Sequence, residues 1–431
     1  MKGSDFSVLV GGAGIAAAAV SLRLIKLGIP PLILCTSSPI LEGIEAIPEG
    51  ALPLFAELGI LQVLGTAQAA VVEGFENNWD DREIVRAGLW IHVDRRRLAE
   101  AAIREAVRQG ATMWTVRSLP KLTHANKAVV ADLDGRERQF DAAIDATGRS
   151  AAWSRPTRRQ GTQVADLYNV TAKESTRGRI GRVGQGWAYR IGLNDDTTVA
   201  IMSIGRRRRR PTAGVFRTLG VAETSGVYRG RRPAFPQWAE EPVQGRRLSV
   251  GDAALAYDPI AGQGIRFALS SAFAVATVVN TWRHTPTKTE AANRFYRAFI
   301  MRARQKHLQF VDAIRMGTPA EQFLRAVPEF VVFRGETGSA ELQIGSRIIS
   351  GTAVRLHDGS WVRWVGGVDL LRIRDLAQKP IRSSELARKL ASMGIDVDKA
   401  STMMAWCARE RLLAPFPGAA IRSACPPRDV S

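Results

Sequence analysis

Chemistry is concentrated in one stretch past the middle of the chain, Gly251-Asp252-Ala253-Ala254-Leu255-Ala256-Tyr257-Asp258-Pro259-Ile260-Ala261-Gly262-Gln263-Gly264-Ile265. Gly251 allows a tight turn, and Asp252 offers a carboxylate that can accept from a sugar-like hydroxyl. Pro259 stiffens the loop. Gly262 and Gly264 let a ligand come close to the backbone, and Gln263, Gly264 and Ile265 stand where a helix should start, with unpaired N–H groups that favour negative charge. A second turn of this kind lies about 240 residues earlier, Gly11-Gly12-Ala13-Gly14-Ile15-Ala16-Ala17. In a G-x-G-x-x-A pattern Gly12 makes the turn, Gly14 admits a pyrophosphate and Ala17 permits close packing of helix on strand.

Both turns require a strand before them and a helix behind. Leu248-Ser249-Val250 is strand-like, and the apolar run Phe267–Val279 reads as a buried helix. Phe6–Val10 is a short apolar strand, followed by an Ala/Leu-rich helix to about Leu27 that Gly28 closes. Pro31–Leu34 predicts a second strand, and Cys35 stands where an acidic residue would hold an adenosine ribose, so the ribose must be held otherwise. His92-Val93-Asp94-Arg95 opens a helix, Leu98–Gln109, and Asp141–Asp145 is a strand running into Ala146-Thr147-Gly148-Arg149. From about 160 to 245 the pattern turns β-like, with Val164–Tyr168, Gly186–Gly192 and Thr197–Ile204. The expected architecture is α/β. A discontinuous Rossmann-like domain spans 1–160 and 246–315, an inserted antiparallel sheet 161–245, and a connector with a short helix 316–350. A small domain follows over 351–431, with three helical runs (Val368–Gln378, Ser383–Met393, Val397–Arg409) and a short strand from Arg411, which looks like a winged helix-turn-helix.

Of 431 residues, 45% are hydrophobic and 23% charged, the balance of a water-soluble globular chain of two or three domains. Met1–Asp5 lacks a basic leader and no 18-residue apolar span occurs, so neither a signal peptide nor a membrane span is expected and the cytoplasm is the expected compartment. Cys35, Cys407 and Cys425 are too few and too far apart for a disulfide framework or a zinc site, and no metal is expected. The net charge of +19 is uneven: residues 151–250 carry 19 basic and 7 acidic side chains, including Arg206–Arg210, Arg229, Arg231 and Arg232. A solvated or nucleic-acid-binding face and a mouth that attracts an acidic partner both fit that excess.

The 251–265 segment resembles the GD…DP-x-x-GQG segment of FAD-dependent aromatic hydroxylases and flavin-dependent halogenases, and the Gly12–Ala17 turn resembles their dinucleotide fingerprint. Glu42-Gly43-Ile44-Glu45-Ala46-Ile47-Pro48 is similar to the G-E-x-x-P stretch of the halogenase-like branch, His92-x-x-Arg95-x-x-Leu98 to the hydroxylase element whose arginine meets the FAD phosphates or ribose, and Ala146-Thr147-Gly148 to the family's ATG turn. Trp187-x-Tyr189-x-Ile191 resembles the W-x-W-x-I-P motif of tryptophan halogenases, with Tyr189 for the second Trp and Gly192 for Pro. The resemblance implies FAD held by Gly12, Gly14, Ala17, the Cys35 position, Arg95, Thr147, Gly148, Asp252, Pro259, Gly262, Gln263, Gly264 and Ile265. It implies a substrate wall at Trp187, Tyr189 and Arg190, and Glu45 or His92 as the base. Halogenases need a lysine soon after the G-E segment, yet none lies between Glu45 and Trp79, which favours oxygen transfer.

In overall plan the chain is most similar to tryptophan-oxygenating maturation monooxygenases of cysteine tryptophylquinone biogenesis. That implies hydroxylation of a protein tryptophan with O2 through a flavin C4a-hydroperoxide. The partner would be an acidic polypeptide such as an amine dehydrogenase small subunit, with electrons from NAD(P)H or a separate reductase. For the tail, protein docking is favoured over nucleic acid. A small-molecule aromatic hydroxylase, a halogenase and a non-catalytic FAD- or nucleic-acid-binding protein remain the alternatives.

Overall fold

The computed structural model describes residues 6–37, 43–67, 70–79, 82–125, 128–170, 178–183, 186–193, 198–204, 213–221, 226–315 and 327–416. Two compact units emerge, residues 1–317 with 345–347, and residues 318–344 with 348–431.

The first unit is built on a six-stranded sheet in the order Val243–Gln244, Arg247–Ser249, Ala142–Asp145, Val8–Gly11, Leu32–Thr36, Thr112–Val116. The four pairings from Arg247–Ser249 to Thr112–Val116 are parallel, with Val10 opposite both Ile144 and Ile33. Parallel strands bury both faces, which is why Val8–Gly11 and Ala142–Asp145 are buried at every position. One face carries the helix Ile15–Lys26 and the core helix Gly264–His284, whose alanines and small β-branched residues let backbones approach. On another side a meander, Leu122–Ala125, Ala128–Leu133 and Arg136–Phe140, packs Val129, Leu133 and Phe140 with Leu9, Leu34 and Trp153. Gly264–His284 is the one helix among the described residues long and apolar enough to cross a membrane, a stretch the chain's composition did not flag. It lies inside the fold, with 83% of its apolar window buried.

The inserted sheet has eight strands in the order Val227–Pro233, Val164–Val170, Thr198–Ile204, Gly186–Gly192, Gly178–Val183, Ala70–Trp79, Arg82–Asp94, Ile44–Pro48. It is therefore not confined to 161–245. Three strands from 44–94 extend it, joined through the parallel pairing of Gly178–Val183 with Ala70–Trp79. That recruitment brings Glu45 and His92, on neighbouring strands, into the same sheet as Trp187 and Tyr189.

In the second unit Phe330–Phe333 pairs with Ile381–Arg382 and Leu413–Pro415, and the hairpin strands Thr337–Ile344 and Arg347–Arg355 join Trp361–Val362. Strands thus occupy the described part of 316–350, where a connector with a short helix was expected. The three helices are Leu370–Leu376, Ser383–Ser392 and Val397–Arg409. Val368 and Asp369 are not helical, because they pair with Val365 and Trp364 before the Asp369 carboxylate caps the helix at Leu371 N–H. Leu386, Leu390, Ala400, Met404 and Cys407 form the core as their spacing predicts, but Met393 and Val397 lie outside it, 45% and 58% exposed. Both flank the Gly394 turn, where the helices end and the shared apolar face runs out.

Candidate active site

Three turns converge at the carboxyl ends of the parallel strands, the position where open α/β sheets bind ligands. Gly12 has φ +118, and a β-carbon there would lie 2.4 Å from the Ala146 carbonyl oxygen, so the Ala146-Thr147-Gly148 turn requires this glycine. The two segments are tied by Ala146 N–H to Gly11 O at 2.8 Å, while Gly12 N–H reaches Leu34 O at 2.8 Å. Gly251 has φ +59, and its β-carbon would lie 2.7 Å from Ala16 Cβ, one residue before the fully buried Ala17. The beginning and the middle of the chain therefore meet atom against atom.

Gly14 and Gly264 differ from these two. Gly14 is extended (φ −85, ψ −178), and a β-carbon at Gly14, Gly148 or Gly264 would meet nothing within 4 Å. The helices behind Gly14 and Gly264 have neither a side-chain cap nor an acidic residue in the first turn. Two helix starts with unpaired N–H groups thus face free space. Between them Asp252 is half-buried and takes no hydrogen bond from any described residue. This donor set and lone carboxylate fit a dinucleotide with a hydroxylated linker. The Pro259–Ala261 turn is fixed by Asp258, whose Oδ1 accepts from Ile260 N–H at 3.1 Å. Gly262 then turns left-handed (φ +59) ahead of Gln263 and the buried Ile265.

Several residues expected to touch the ligand are otherwise engaged. Thr147 gives its N–H and hydroxyl to Asp145 Oδ1 at 3.0 and 2.6 Å and accepts from Ala152 N–H, so its side chain builds the turn. Asp145 completes that turn by accepting from Trp153 N–H at 2.8 Å. The Cys35 thiol is buried against Trp114 O and Thr115 Oγ1 and does not replace the missing ribose acceptor. Arg95 pairs with Glu45, Nη1 to Oε1 at 3.0 Å, the side chains being 42% and 33% exposed. Burial raises the Glu45 carboxyl pKa; the Arg95 charge pulls it down and the Asp252 carboxylate pushes it up. Glu45 in turn raises the Arg95 pKa, against the effect of burial. Glu45 is thus a partly exposed carboxyl whose burial favours the protonated form, and a group shifted in that direction is a candidate for proton transfer.

The aromatic wall lies on the inner face of the eight-stranded sheet. Trp187 and Tyr189 stack at 5.4 Å and 17°, and pack with Ile44, Ile191, Phe75 and the Ile260 of the Pro259–Ala261 turn. Phe75 meets Trp90 edge-on at 4.9 Å, and Trp90 lies over Gly262, where a β-carbon would come within 3.5 Å of its ring. Arg190 is corrected: strand alternation turns it to the opposite face, where it is buried beside Gly220 with one hydrogen bond to that carbonyl at 3.3 Å. His92 is 1% exposed, its Nδ1 lies 2.8 Å from Gly192 O, and burial depresses its pKa. Its Nε2 has no hydrogen-bond partner among the described residues. Burial and the tie to the main chain favour the uncharged form of this ring.

Arg149, Phe75 and Trp90 had not been singled out in the sequence. Arg149 donates from Nη1 to Phe235 O and from Nη2 to Tyr257 O at 2.8 and 2.7 Å, and its own carbonyl accepts from Gln237 Nε2, joining all three segments. Its position directly after Ala146-Thr147-Gly148 was the available signal. Trp90 could have been found from its two-residue spacing to His92 on one strand. The basic run Arg206–Arg210 lies outside the described residues. Of its neighbours, Arg231 is committed to Asp166 by two bonds of 2.8 Å.

The fold is that of FAD-dependent monooxygenases and halogenases. The flavin-dependent halogenase CmlS aligns over 95% of this chain and 96% of its own, at TM-score 0.73 and 15% identity. Peptidyl tryptophan dihydroxylase QhpG, essential for tryptophylquinone cofactor biogenesis, aligns over 94% of this chain and 99% of its own, at TM-score 0.66 and 20% identity. PqsL of Pseudomonas aeruginosa covers 74% of this chain and 97% of its own at TM-score 0.59 and 16% identity. In sequence, a putative FAD-dependent oxidoreductase, LodB of Marinomonas mediterranea, is 33% identical over 110 residues. The chain spans 30% of that relative's length, and the match covers 22% of the chain. No family model matches.

Proposed function

We propose that the chain is an FAD-dependent monooxygenase that hydroxylates an indole, the tryptophan side chain of a protein partner, during quinone cofactor biogenesis. The observation that carries the cofactor is the pair of open helix starts at Gly14 and Gly264 on either side of Asp252, a carboxylate with no hydrogen-bond partner among the described residues. Backbone N–H groups behind Gly14 would hold the pyrophosphate, Asp252 the linker hydroxyls, and those behind Gly264 the negative edge of the reduced ring. When bound, FAD would supply the activation of O2 and the electrophilic oxygen.

The chain's own residues do the rest. Trp187, Tyr189, Phe75 and Trp90 offer flat apolar surface to an indole and exclude water. Glu45, with its raised pKa, takes the proton that the ring must lose when it is hydroxylated, and Arg95 steadies the carboxylate once it is charged. Oxygen transfer is favoured over halogen transfer because the stretch from Glu45 to Trp79 has no lysine. The fold does not separate the two, since a halogenase and a tryptophan dihydroxylase both align along nearly the whole chain.

A protein substrate is supported by the basic excess of residues 151–250, which would steer an acidic polypeptide. It is also supported by the second unit, whose three helices and short sheet have the parts of a winged helix and which we read as a docking module. Electrons would come from NAD(P)H or a separate reductase, in the cytoplasm. The test is to incubate flavin-loaded protein, reductant and O2 with a candidate acidic small subunit. Mass spectrometry should show a gain of one or two oxygen atoms on a tryptophan. Turnover of free indoles alone, with the subunit untouched, would replace the protein substrate by a small molecule. A halide-dependent product would restore the halogenase.

A further inference from the structure

We infer that His307 is a positioning residue for the flavin turn, and that it works only while its ring is neutral. His307 lies on the helix Thr289–Arg315, 4% exposed. The backbone N–H of Asp258 points at its Nε2 at 2.8 Å. Its ring stacks on Tyr257 with centroids 4.1 Å apart and planes within 7°. Tyr257 is held on the other side by Phe267 at 5.0 Å, and its carbonyl by Arg149 Nη2 at 2.7 Å. Tyr257 and Asp258 are the two residues from which the Pro259–Ala261 turn and Gly262–Gly264 continue, so this clamp sets where that turn lies.

A backbone amide only donates. Nε2 must therefore present its lone pair, and the neutral ring carries its proton on Nδ1. Ionising the ring would set an N–H against an N–H in a buried place and release Asp258 from the helix. Among the described residues, the charged groups on the segments around the ring include the Asp258 carboxylate, Arg149, Arg266 on the core helix, and Arg302, Arg304, Lys306 and Asp312 on His307's own helix. The guanidinium and ammonium groups keep their charge between about pH 5 and 8. A titration in that window that disappears with the ring therefore reports His307.

The inference rests on the flavin reading, and the experiment separates the two. FAD affinity of the apoprotein is measured by flavin fluorescence from pH 8 to 5.5 for wild type, His307→Gln and His307→Phe. Gln keeps an acceptor near Nε2 and does not titrate; Phe keeps a stacked ring without an acceptor. Wild type should lose about fivefold to a hundredfold in affinity on acidification, the cost of stranding one buried N–H. His307→Gln should stay nearly flat, and His307→Phe should bind weakly at every pH. In 15N-histidine spectra of the apoprotein, the signal missing from His307→Gln should be a neutral Nδ1–H ring at pH 8. A charged or Nε2–H ring there, or a Phe variant with wild-type affinity and pH profile, overturns the inference. Should His307→Phe fail to fold, His307→Gln and the ring spectrum decide it. A wild-type protein that binds no FAD at any pH sinks the flavin reading and this role with it, even if the ring is neutral as expected.

Discussion

Gly14→Ala separates the two kinds of glycine at this site. Its backbone is extended, open to any residue, and the added methyl would meet no protein atom within 4 Å. Alanine is a poorer helix cap than glycine by less than about 1 kcal/mol, and it lowers the entropy of the unfolded chain by about 0.4–1 kcal/mol, so apoprotein stability should change by less than about 1 kcal/mol. If the space ahead of Gly14 belongs to a pyrophosphate, the methyl overpacks it by about 1–3 kcal/mol, or roughly fivefold to 150-fold in FAD affinity. The assay is thermal unfolding with and without FAD. At FAD about 100-fold above the wild-type Kd the ligand stabilises the native state by about 2.7 kcal/mol, and a 100-fold weaker variant retains only about 0.4 kcal/mol of that. The expected result is an unchanged apo midpoint and a largely lost FAD shift. A Gly14→Ala protein that binds FAD like the parent would refute the placement of the pyrophosphate. One that unfolds without ligand would show that the glycine serves the fold.

Other outcomes follow from the same geometry. Gly251→Ala, by contrast, should destabilise the apoprotein by about 2–5 kcal/mol, combining a left-handed alanine with overpacking against Ala16, visible as a lowered midpoint without any ligand. Arg149→Met strands two carbonyls, Phe235 O and Tyr257 O, and should cost about 2–4 kcal/mol and weaken FAD; equal stability in denaturant would remove Arg149 as the link between segments. The native His92 pKa is depressed, so the unfolded chain takes up more protons as pH falls below about 6.5, and the stability present above that value is lost progressively on acidification. His92→Asn, which can still donate to Gly192 O but does not titrate, should flatten that acid limb in denaturant unfolding at pH 7.5 and 5.5. Raising ionic strength should weaken capture of an acidic partner without loosening FAD; salt-independent capture would end the steering idea.

What could be read from the chain was whatever residue identity determines locally. The glycines at 12 and 251 announce turns because the left-handed backbone they adopt strongly favours glycine, and the apolar run after Gly264 announces a buried helix by its length. Less legible were interactions that end on main-chain atoms. The partners of Arg149 are carbonyls of Phe235 and Tyr257, and that of His307 is an amide, so no complementary side chain marks them. Thr147 was expected at the ligand only from the resemblance of Ala146-Thr147-Gly148 to the family's turn, whereas its hydroxyl goes to Asp145 two residues away. Strand parity could have placed Arg190 correctly, since Trp187 and Tyr189 fix the inner face. The recruitment of 44–94 into the larger sheet depends on pairings across about 100 residues, which alternation within one strand does not encode.

The core helix Gly264–His284 has a consequence for biosynthesis. Its packing against the helix Ile15–Lys26, with Gly251 wedged on Ala16, means that the opening domain has no finished interior until residue 284 has left the ribosome. Throughout that interval the face of the alanine-rich helix that the core helix will cover stays exposed. A chain so organised should depend on a holding chaperone during translation, and truncation anywhere before that helix should yield aggregate instead of a smaller soluble domain.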